Sequence, residues 1–435
     1  MTQLSPTRAH RVLILASKLG YQTRAFTDAA KKLNVELSFG TDRCHKLEDP
    51  WSDSALALRF ENPHAAAAEI AAQLPANRPD AIVAVGDRPT ITAAYAARAL
   101  GFPGNPPESV EICRNKLHQR ETLRRANLPV PDFFGFALAE NLDSVLARVK
   151  YPCVIKPLSL SASQGVIRTN DEAEFRAAVS RIRALLESPE ICVLREPHHD
   201  RLLVESYIPG REVAIEALLT NGKLRILAIF DKPDPLEGPF FEETIYVTPS
   251  RLPDSDQLAL IDCAERSVAA LGLVTGPVHA EFRINENGPM VIEIAPRPIG
   301  GLCAGALRFG EARMSLEELI LRHALGMEGS DLEREKSAAG VMMIPVPKSG
   351  TLEDVKGLDL AEKQPGIESI RITGRLHDYI AAWPEGSSYL GFIFSRAETP
   401  EAAEAALRAA HAKLEFVLTP RLPVEHPVTG RIATP

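Results

Sequence analysis

Glu281 and Glu293 are the residues of this sequence best placed to do chemistry. They lie in residues 276–297, where two alternating apolar/polar runs flank Asn285-Glu286-Asn287-Gly288. Asn-Gly between such runs is a strong hairpin signal. With the turn centred near Asn287, each glutamate lies six residues from the centre, so the two face each other across the strands. Alternation puts His279, Glu281, Arg283, Val291, Glu293 and Ala295 on one face. Ala280, Phe282, Ile284, Met290, Ile292 and Ile294 fall on the other, which is the core face. Directly opposed carboxylates repel unless a cation compensates. A divalent metal does so, and oxygen-only ligands suit Mg²⁺ or Mn²⁺, with Mg²⁺ usually held by one or two carboxylates plus substrate phosphates. The competing reading pairs one glutamate with Arg283 or Arg297 on a solvated face.

Other groups extend the picture. Residues 151–157 form an apolar strand ending in Lys156, next to Pro157; snorkelling to solvent is the plain alternative for such a lysine. Residues 158–166 follow, a small-residue loop with Ser161, Ser163, Gln164 and Gly165. Its backbone N–H groups and hydroxyls suit phosphate oxygens. A strand leads into Glu205, Tyr207-Ile208 reads as a hinge, and Pro209-Gly210 turns the chain into a strand over 211–219. There Glu212, Ala214 and Glu216 share one face. Residues 231–239 hold Lys232 in a Pro/Gly-rich loop, followed by Glu242 and Glu243. Its length and charge suit a lid or a substrate-contacting loop.

Positioning these groups needs a scaffold, and the pattern predicts one. Strands over 11–15, 35–39 and 81–86 alternate with helices over 24–33, 64–74 and 89–100, which implies a parallel sheet with helices on its faces. The turns at 16–20 and Gly86-Asp87 sit where such sheets place ligands. No GxGxxG occurs, so a dinucleotide site has no support. Residues 103–107 read as a linker, and residues 110–126 as one charged helix with Asn115-Lys116 in its first turns. Helices over 172–186, 258–271 and 315–325 follow, the last with a capping box at Ser315 and Glu318. From about residue 329 the composition changes to a small α+β unit, with strands over 338–345, 367–373 and 389–395, a turn-rich segment at 350–356 and a helix over 400–414.

The 435 residues predict about two to four domains, and a 45% hydrophobic content is ordinary for globular cores. A net charge of −8 excludes a basic nucleic-acid footprint. No run of about eighteen apolar residues predicts a membrane span, and no apolar stretch near the start reads as a signal peptide. Six scattered cysteines without CxxC predict reduced thiols and a cytoplasmic protein.

Two lysines, a hydroxyl-rich loop, strand-borne glutamates at a hinge and a carboxylate hairpin followed by an arginine, in this order, resemble the ATP-grasp superfamily. The resemblance covers about 11–325, with its motifs between Lys116 and Arg297. Residues 231–249 and the trailing unit look most like the L-amino acid ligases. The resemblance implies an α/β (α+β) ATP-grasp fold: an N-terminal Rossmann-like parallel-sheet domain over 1–108, an ATP-grasp domain over 109–328 with a nucleotide-clamping subdomain at about 130–207, and a small C-terminal α+β domain over 329–435. It implies that Lys116 and Lys156 hold ATP phosphates, that Ser161, Ser163, Gln164 and Gly165 cover them, and that Glu205 with the backbone of Tyr207 and Ile208 forms the adenine hinge. Glu212 would bind ribose, Glu281 and Glu293 would ligate Mg²⁺ or Mn²⁺, and Arg297 would steady the acyl-phosphate and its tetrahedral adduct. The sequence departs from the pattern at Ala295, where the family usually has Asn, so that one metal contact is either missing or replaced by water or by Glu242 or Glu243. Its loop after Lys156 is also poorer in glycine than many members.

The implied activity is an ATP-dependent carboxylate–amine ligase that joins L-amino acids through an acyl-phosphate. Glu216, Glu243 and His279 are all candidates to take the amine's proton. The expected partners are small-molecule carboxylate and amine substrates, with neither nucleic acid nor membrane, and a homodimer left open. Two alternatives are an ATP-grasp carboxylase or purine-pathway ligase, and a non-catalytic ATP-binding protein.

Overall fold

The computed structural model describes residues 9–17, 20–42, 55–73, 78–327, 329 and 332–420, and the backbone of 424–425 and 432–433. Parts of the predicted 16–20 turn and the last residue of the helix predicted over 64–74 lie outside these. The apolar strand Arg11–Ala16 has the strands Glu36–Thr41 and Ala81–Val85 on either side, all parallel, and Leu56–Ala57 extends the edge. Such a sheet presents ligands at its carboxyl ends, and there the chain leaves Val85 for Gly86 and Asp87.

The helix predicted over 110–126 is two helices, Pro107–Arg114 and Lys116–Arg125. Asn115 breaks it. Its extended backbone (φ −106°, ψ 106°) and its carboxamide, which accepts from Leu117 N at 3.1 Å and His118 N at 3.2 Å, make it the cap of the second helix. Helical periodicity runs through both segments, so only the cap geometry reveals the break. The break makes Lys116 the first residue of a new helix.

The clamping region is a four-stranded antiparallel sheet in the order Phe133–Ala137, Arg201–Ser206, Cys153–Pro157, Ile167–Thr169. The helix Glu172–Leu186 buries Phe175, Val179 and Ile182 in the same core as Phe136, Ile155 and Val204.

The largest sheet has eight antiparallel strands. In spatial order they are Gly288–Ala295, Gly276–Asn285, Arg211–Thr220, Lys223–Asp231, Ile245–Thr248, Ala338–Ile344, Gly391–Ala397 and Ile367–Ile372. The sheet therefore runs straight across the expected boundary near 328/329. Ala338–Ile344 is buried along its whole length, and a strand with no exposed residue needs a partner on both sides. Residues 350–356 are a strand rather than a turn-rich segment, and pair with Glu415–Thr419 in a separate small sheet.

Gly288–Ala295 is an edge strand, and side chains of the helix Lys116–Arg125 cover it. Gln119 accepts from Ile294 N–H at 3.0 Å and donates to Ile294 O at 2.9 Å, while Arg120 donates to Ile292 O at 2.7 Å. Covering an edge in this way blocks further strand pairing, and it ties Lys116 to the carboxylate hairpin.

Candidate active site

The hairpin opposes Glu281 and Glu293, but by a different route from simple alternation. The turn closes early, with Asn285 opposite Gly288, and a bulge between Glu281 and Phe282 restores the register further up. The extra residue swaps faces within the hairpin. Val291, expected beside the glutamates, is buried opposite Phe282 in the core, and Ile292, expected in the core, lines the cleft instead.

Glu281 does not stand with Glu293 alone. Carboxylate oxygens of Glu212, Glu243 and Glu281 lie within 4.8 Å of one another. Lys232 reaches in among them, its Nζ 2.8 Å from Glu212 and 2.9 Å from Glu281, and it also donates to Glu243. Arg283 also pairs with Glu212 and His279 stands beside Glu281, so the carboxylates share three cations. Burial alone would lower the Lys232 pKa, but the carboxylates outweigh it and hold the ammonium well above its usual range. Burial pushes Glu243 up to about 7 against the pull of Lys232. It would raise Glu281 too, but Lys232 and His279 hold that group well below the ordinary carboxylate range.

An all-oxygen donor set of three carboxylates fits Mg²⁺ or Mn²⁺. Glu281, Glu243 and Glu212 would hold it, with Glu293 facing them. The Glu293 carboxylate forms no hydrogen bond or ion pair among the described residues. Glu243 joins this cluster, whereas Glu242 is used elsewhere, accepting from Val346 N–H at 2.9 Å. Glu212, read from sequence as a ribose ligand, also takes Arg283 Nε at 2.8 Å.

Behind this cluster His279 Nδ1 bonds Glu216, and Nε2 lies 3.4 Å from Glu281. Glu216 also accepts from Ile299 N–H at 3.1 Å. Burial alone would lower the imidazole's pKa, but Glu216 and Glu281 outweigh it, and His279 is raised to about 9.

The lysines stand on the opposite wall. Lys116 Nζ donates to Leu160 O at 2.5 Å, and burial lowers its pKa. Lys156 Nζ lies 2.6 Å from Glu205, whose other oxygen takes Arg120 Nε at 2.5 Å. Burial would raise the Glu205 carboxyl, but Arg120 and Lys156 prevail and hold it at about 2. At the hinge, Tyr207 N–H donates to Pro152 O at 3.1 Å, and Ile208 O accepts from Arg283 Nη1 at 2.7 Å.

Lys116, Lys156, Ser161, Ser163, Glu205, Tyr207, Ile208, Glu212, Glu281 and Glu293 all line one cleft of about 100 Å³. Gln164, Gly165 and Arg297 are not in its wall. The side-chain amide of Gln164 and the N–H of Gly165 are bonded to the C-terminal portion. Arg297 lies beyond the carboxylates. Its Nε donates to Asp87 at 2.8 Å and its Nη1 to Pro298 O at 2.9 Å. Asp87 is also 3.8 Å from Arg114. Burial would raise the Asp87 pKa, but Arg297 and Arg114 hold it well below the usual range.

Asp87, Arg114, Arg120 and Arg283 were not read from sequence as site residues. Asp87 carried a signal in its place at the end of a parallel strand, and Arg283 in its place on the glutamate face of the hairpin. Arg120 reads as one more charge on a charged helix, and Lys232 as one charge in a loop.

A four-stranded sheet and a larger sheet meeting at a cleft lined by lysines and carboxylates give the ATP-grasp fold. The ATP-grasp domain family matches residues 149–306, and the L-amino acid ligase C-terminal domain 2 family matches residues 342–419. The crystal structure of an L-amino acid ligase from Bacillus licheniformis is similar at a TM-score of 0.81 and 27% identity, over 95% of this chain and 100% of that one. An uncharacterized protein, y4rH, of Sinorhizobium fredii is 26% identical over 76% of this chain and 66% of its own length. Alanine–anticapsin ligase of Bacillus amyloliquefaciens is 26% identical over 48% of this chain and 46% of its own. The chain thus spans less than two thirds of the length of these curated relatives. It has the ATP-grasp fold and is similar to L-amino acid ligases. No helix among the described residues is long and apolar enough to cross a membrane.

Proposed function

We propose that the protein is an ATP-dependent carboxylate–amine ligase that joins L-amino acids through an acyl-phosphate. The observation that carries this reading is the single cleft shared by Lys116, Lys156, Glu281 and Glu293, with Arg297 held beyond it by Asp87. The likeness to an L-amino acid ligase over both whole chains supports the substrate class.

Lys116 and Lys156 hold the triphosphate as mobile point charges. Arg120 and Glu205 keep Lys156 in place, so little reorganisation is needed when phosphates arrive. Glu281, Glu243 and Glu212, with Glu293 opposite, hold Mg²⁺ or Mn²⁺, which when bound supplies positive charge to the phosphate oxygens. The substrate carboxylate attacks the γ-phosphorus and ADP leaves, giving an acyl-phosphate. The amine nitrogen then attacks the acyl carbon. As the C–N bond forms and the C–O bond breaks, phosphate departs and the amine's proton passes to a base. Glu216 is committed to His279 and Ile299 N–H, and His279, raised to about 9, already carries its proton, which leaves Glu243, raised to about 7 and in the cleft wall, for that role. Arg297, fixed by Asp87, faces the oxyanion charge of the tetrahedral adduct; such preorganised charge contributes on the order of 3–4 kcal/mol.

As part of this proposal, residues 1–108 bring Asp87 to the site, residues 109–328 form the nucleotide clamp with its subdomain at about 130–207, and residues 329–435 complete it from the far edge. Free thiols at Cys113, Cys153, Cys192, Cys263 and Cys303 support a cytoplasmic setting.

The test is ADP and phosphate release from ATP and Mg²⁺ across pairwise mixtures of L-amino acids, with mass spectrometry of the products and a Glu293→Ala control. A dipeptide product that disappears in the control is expected. Absence of ATP binding by the unmodified protein overturns the reading.

A further inference from the structure

The loop 161–165 is held by a segment far away in the chain. Trp383 Nε1 donates to Ala162 O at 3.1 Å, across 221 positions. Pro384 O accepts from Gly165 N–H at 2.8 Å, and Glu385 O accepts from Gln164 Nε2 at 2.6 Å. The Glu385 carboxylate pairs with Arg181 on the helix Glu172–Leu186, with Nη2 to Oε2 at 2.9 Å. Trp383 is fixed in turn: it is buried, and its ring centroid lies 4.9 Å from that of Tyr389. The tight turn of this segment requires Gly386, where a Cβ would meet Ala381 O at 2.2 Å.

The loop needs holding. Ala162 and Ser163 both have left-handed backbones, with φ 55° and 54°. Residues with a Cβ disfavour that region, and two in succession persist only when surroundings over-determine them. The bonds to Ala162 O and Gly165 N–H bracket this strained pair. Ser161, Ala162 and Ser163 of the loop line the cleft beneath it.

We propose that Trp383 and Glu385 are positioning residues, and that residues 383–385 form a strap holding the loop 161–165 down over the nucleotide phosphates. The proposal rests on the reading of the cleft as a nucleotide site. The strap gives the C-terminal portion a part in catalysis: it slows nucleotide escape and keeps water from the acyl-phosphate. The two residues contribute unequally. The Arg181–Glu385 pair is 46% and 39% exposed, and exposed ion pairs contribute little. The Trp383 bond is made by a buried side chain.

The experiment follows hydrogen exchange of residues 158–168, and dissociation of a fluorescent ADP analogue with Mg²⁺, in the unmodified chain, Trp383→Phe and Glu385→Gln. Phe keeps an aromatic ring against Tyr389 and removes the donor. Exchange should quicken in both variants. Analogue dissociation should rise on the order of five-fold in Trp383→Phe, as loss of one hydrogen bond implies, and less in Glu385→Gln. In turnover, the KM for ATP should rise while kcat changes little, and phosphate release without amide should increase. A merely structural role would lower the thermal midpoint without that split. Unchanged exchange in both variants overturns the strap alone. Failure of the unmodified chain to bind the analogue overturns the ligase reading, and with it the strap's purpose.

Discussion

Two buried charge clusters face each other across the cleft, and they are built on opposite principles. In the lysine wall Glu205 lies between Arg120 and Lys156, at 2.5 and 2.6 Å, so its carboxylate is fully matched by protein cations. In the carboxylate wall a single ammonium, Lys232, serves Glu212, Glu243 and Glu281 at once. Glu205 is thus a framework group that holds Lys156 at the cleft, whereas Glu212, Glu243 and Glu281 share Lys232, and burial does not separate the two, since Glu205 and Lys232 are both buried.

The comparison can be broken at several points. The largest effect should come from Glu205→Ala, which strands buried Arg120 without its counter-ion; breaking a buried pair in this way costs about 3–5 kcal/mol, measurable by chemical denaturation. A stability change under about 1 kcal/mol would show that the lysine wall is not framework. Glu281→Gln should cost stability too, because Lys232 and His279 favour its charged form, and it should lower turnover roughly 10²–10³-fold, as loss of about 3–4 kcal/mol of electrostatic stabilisation implies. Phosphate release against time and a melting curve on the same sample separate the two readouts.

Lys232→Met sharpens the contrast further. Without divalent metal the variant should melt earlier than the parent, because its carboxylates lose a cation. Mg²⁺ at about 100 times its Kd should restore about 2.7 kcal/mol by mass action. A metal-independent loss would mean that Lys232 acts by packing alone. The smallest effect is in the acid limb. The Glu205 carboxyl is depressed to about 2 from an ordinary 4.5. Between those values the unfolded chain binds more protons than the folded one, so stability rises with pH. This contribution is complete above about pH 4.5 and is lost as pH falls through about 2. Glu205→Gln should flatten the limb in an acid titration followed by circular dichroism.

What the sequence carried was local and periodic. Helix Pro89–Leu100 has its predicted bounds, and Ser315 caps Leu316–Ala324 by accepting from Glu318 N. The Asn-Gly turn brought Glu281 opposite Glu293 because hairpin pairing depends on residues close in the chain. Even there a single bulge exchanged Val291 and Ile292 between core and cleft, since a strand pattern of period two has no means of marking an extra residue. The break at Asn115 escaped for a related reason: the apolar spacing continues through it, and only the cap's backbone differs.

The lysines, loop, hinge and carboxylates that follow one another along the chain line one cleft, because their order follows the strands that build it. Tertiary structure decided which charges are satisfied. Arg297 meets Asp87 across 210 positions, Arg120 meets Glu205 across 85, and Trp383 meets Ala162 across 221. A charge in sequence carries only its sign. Whether it is matched, left in excess or turned towards a ligand depends on which distant strand or loop the fold sets a few ångströms away, and in what dielectric.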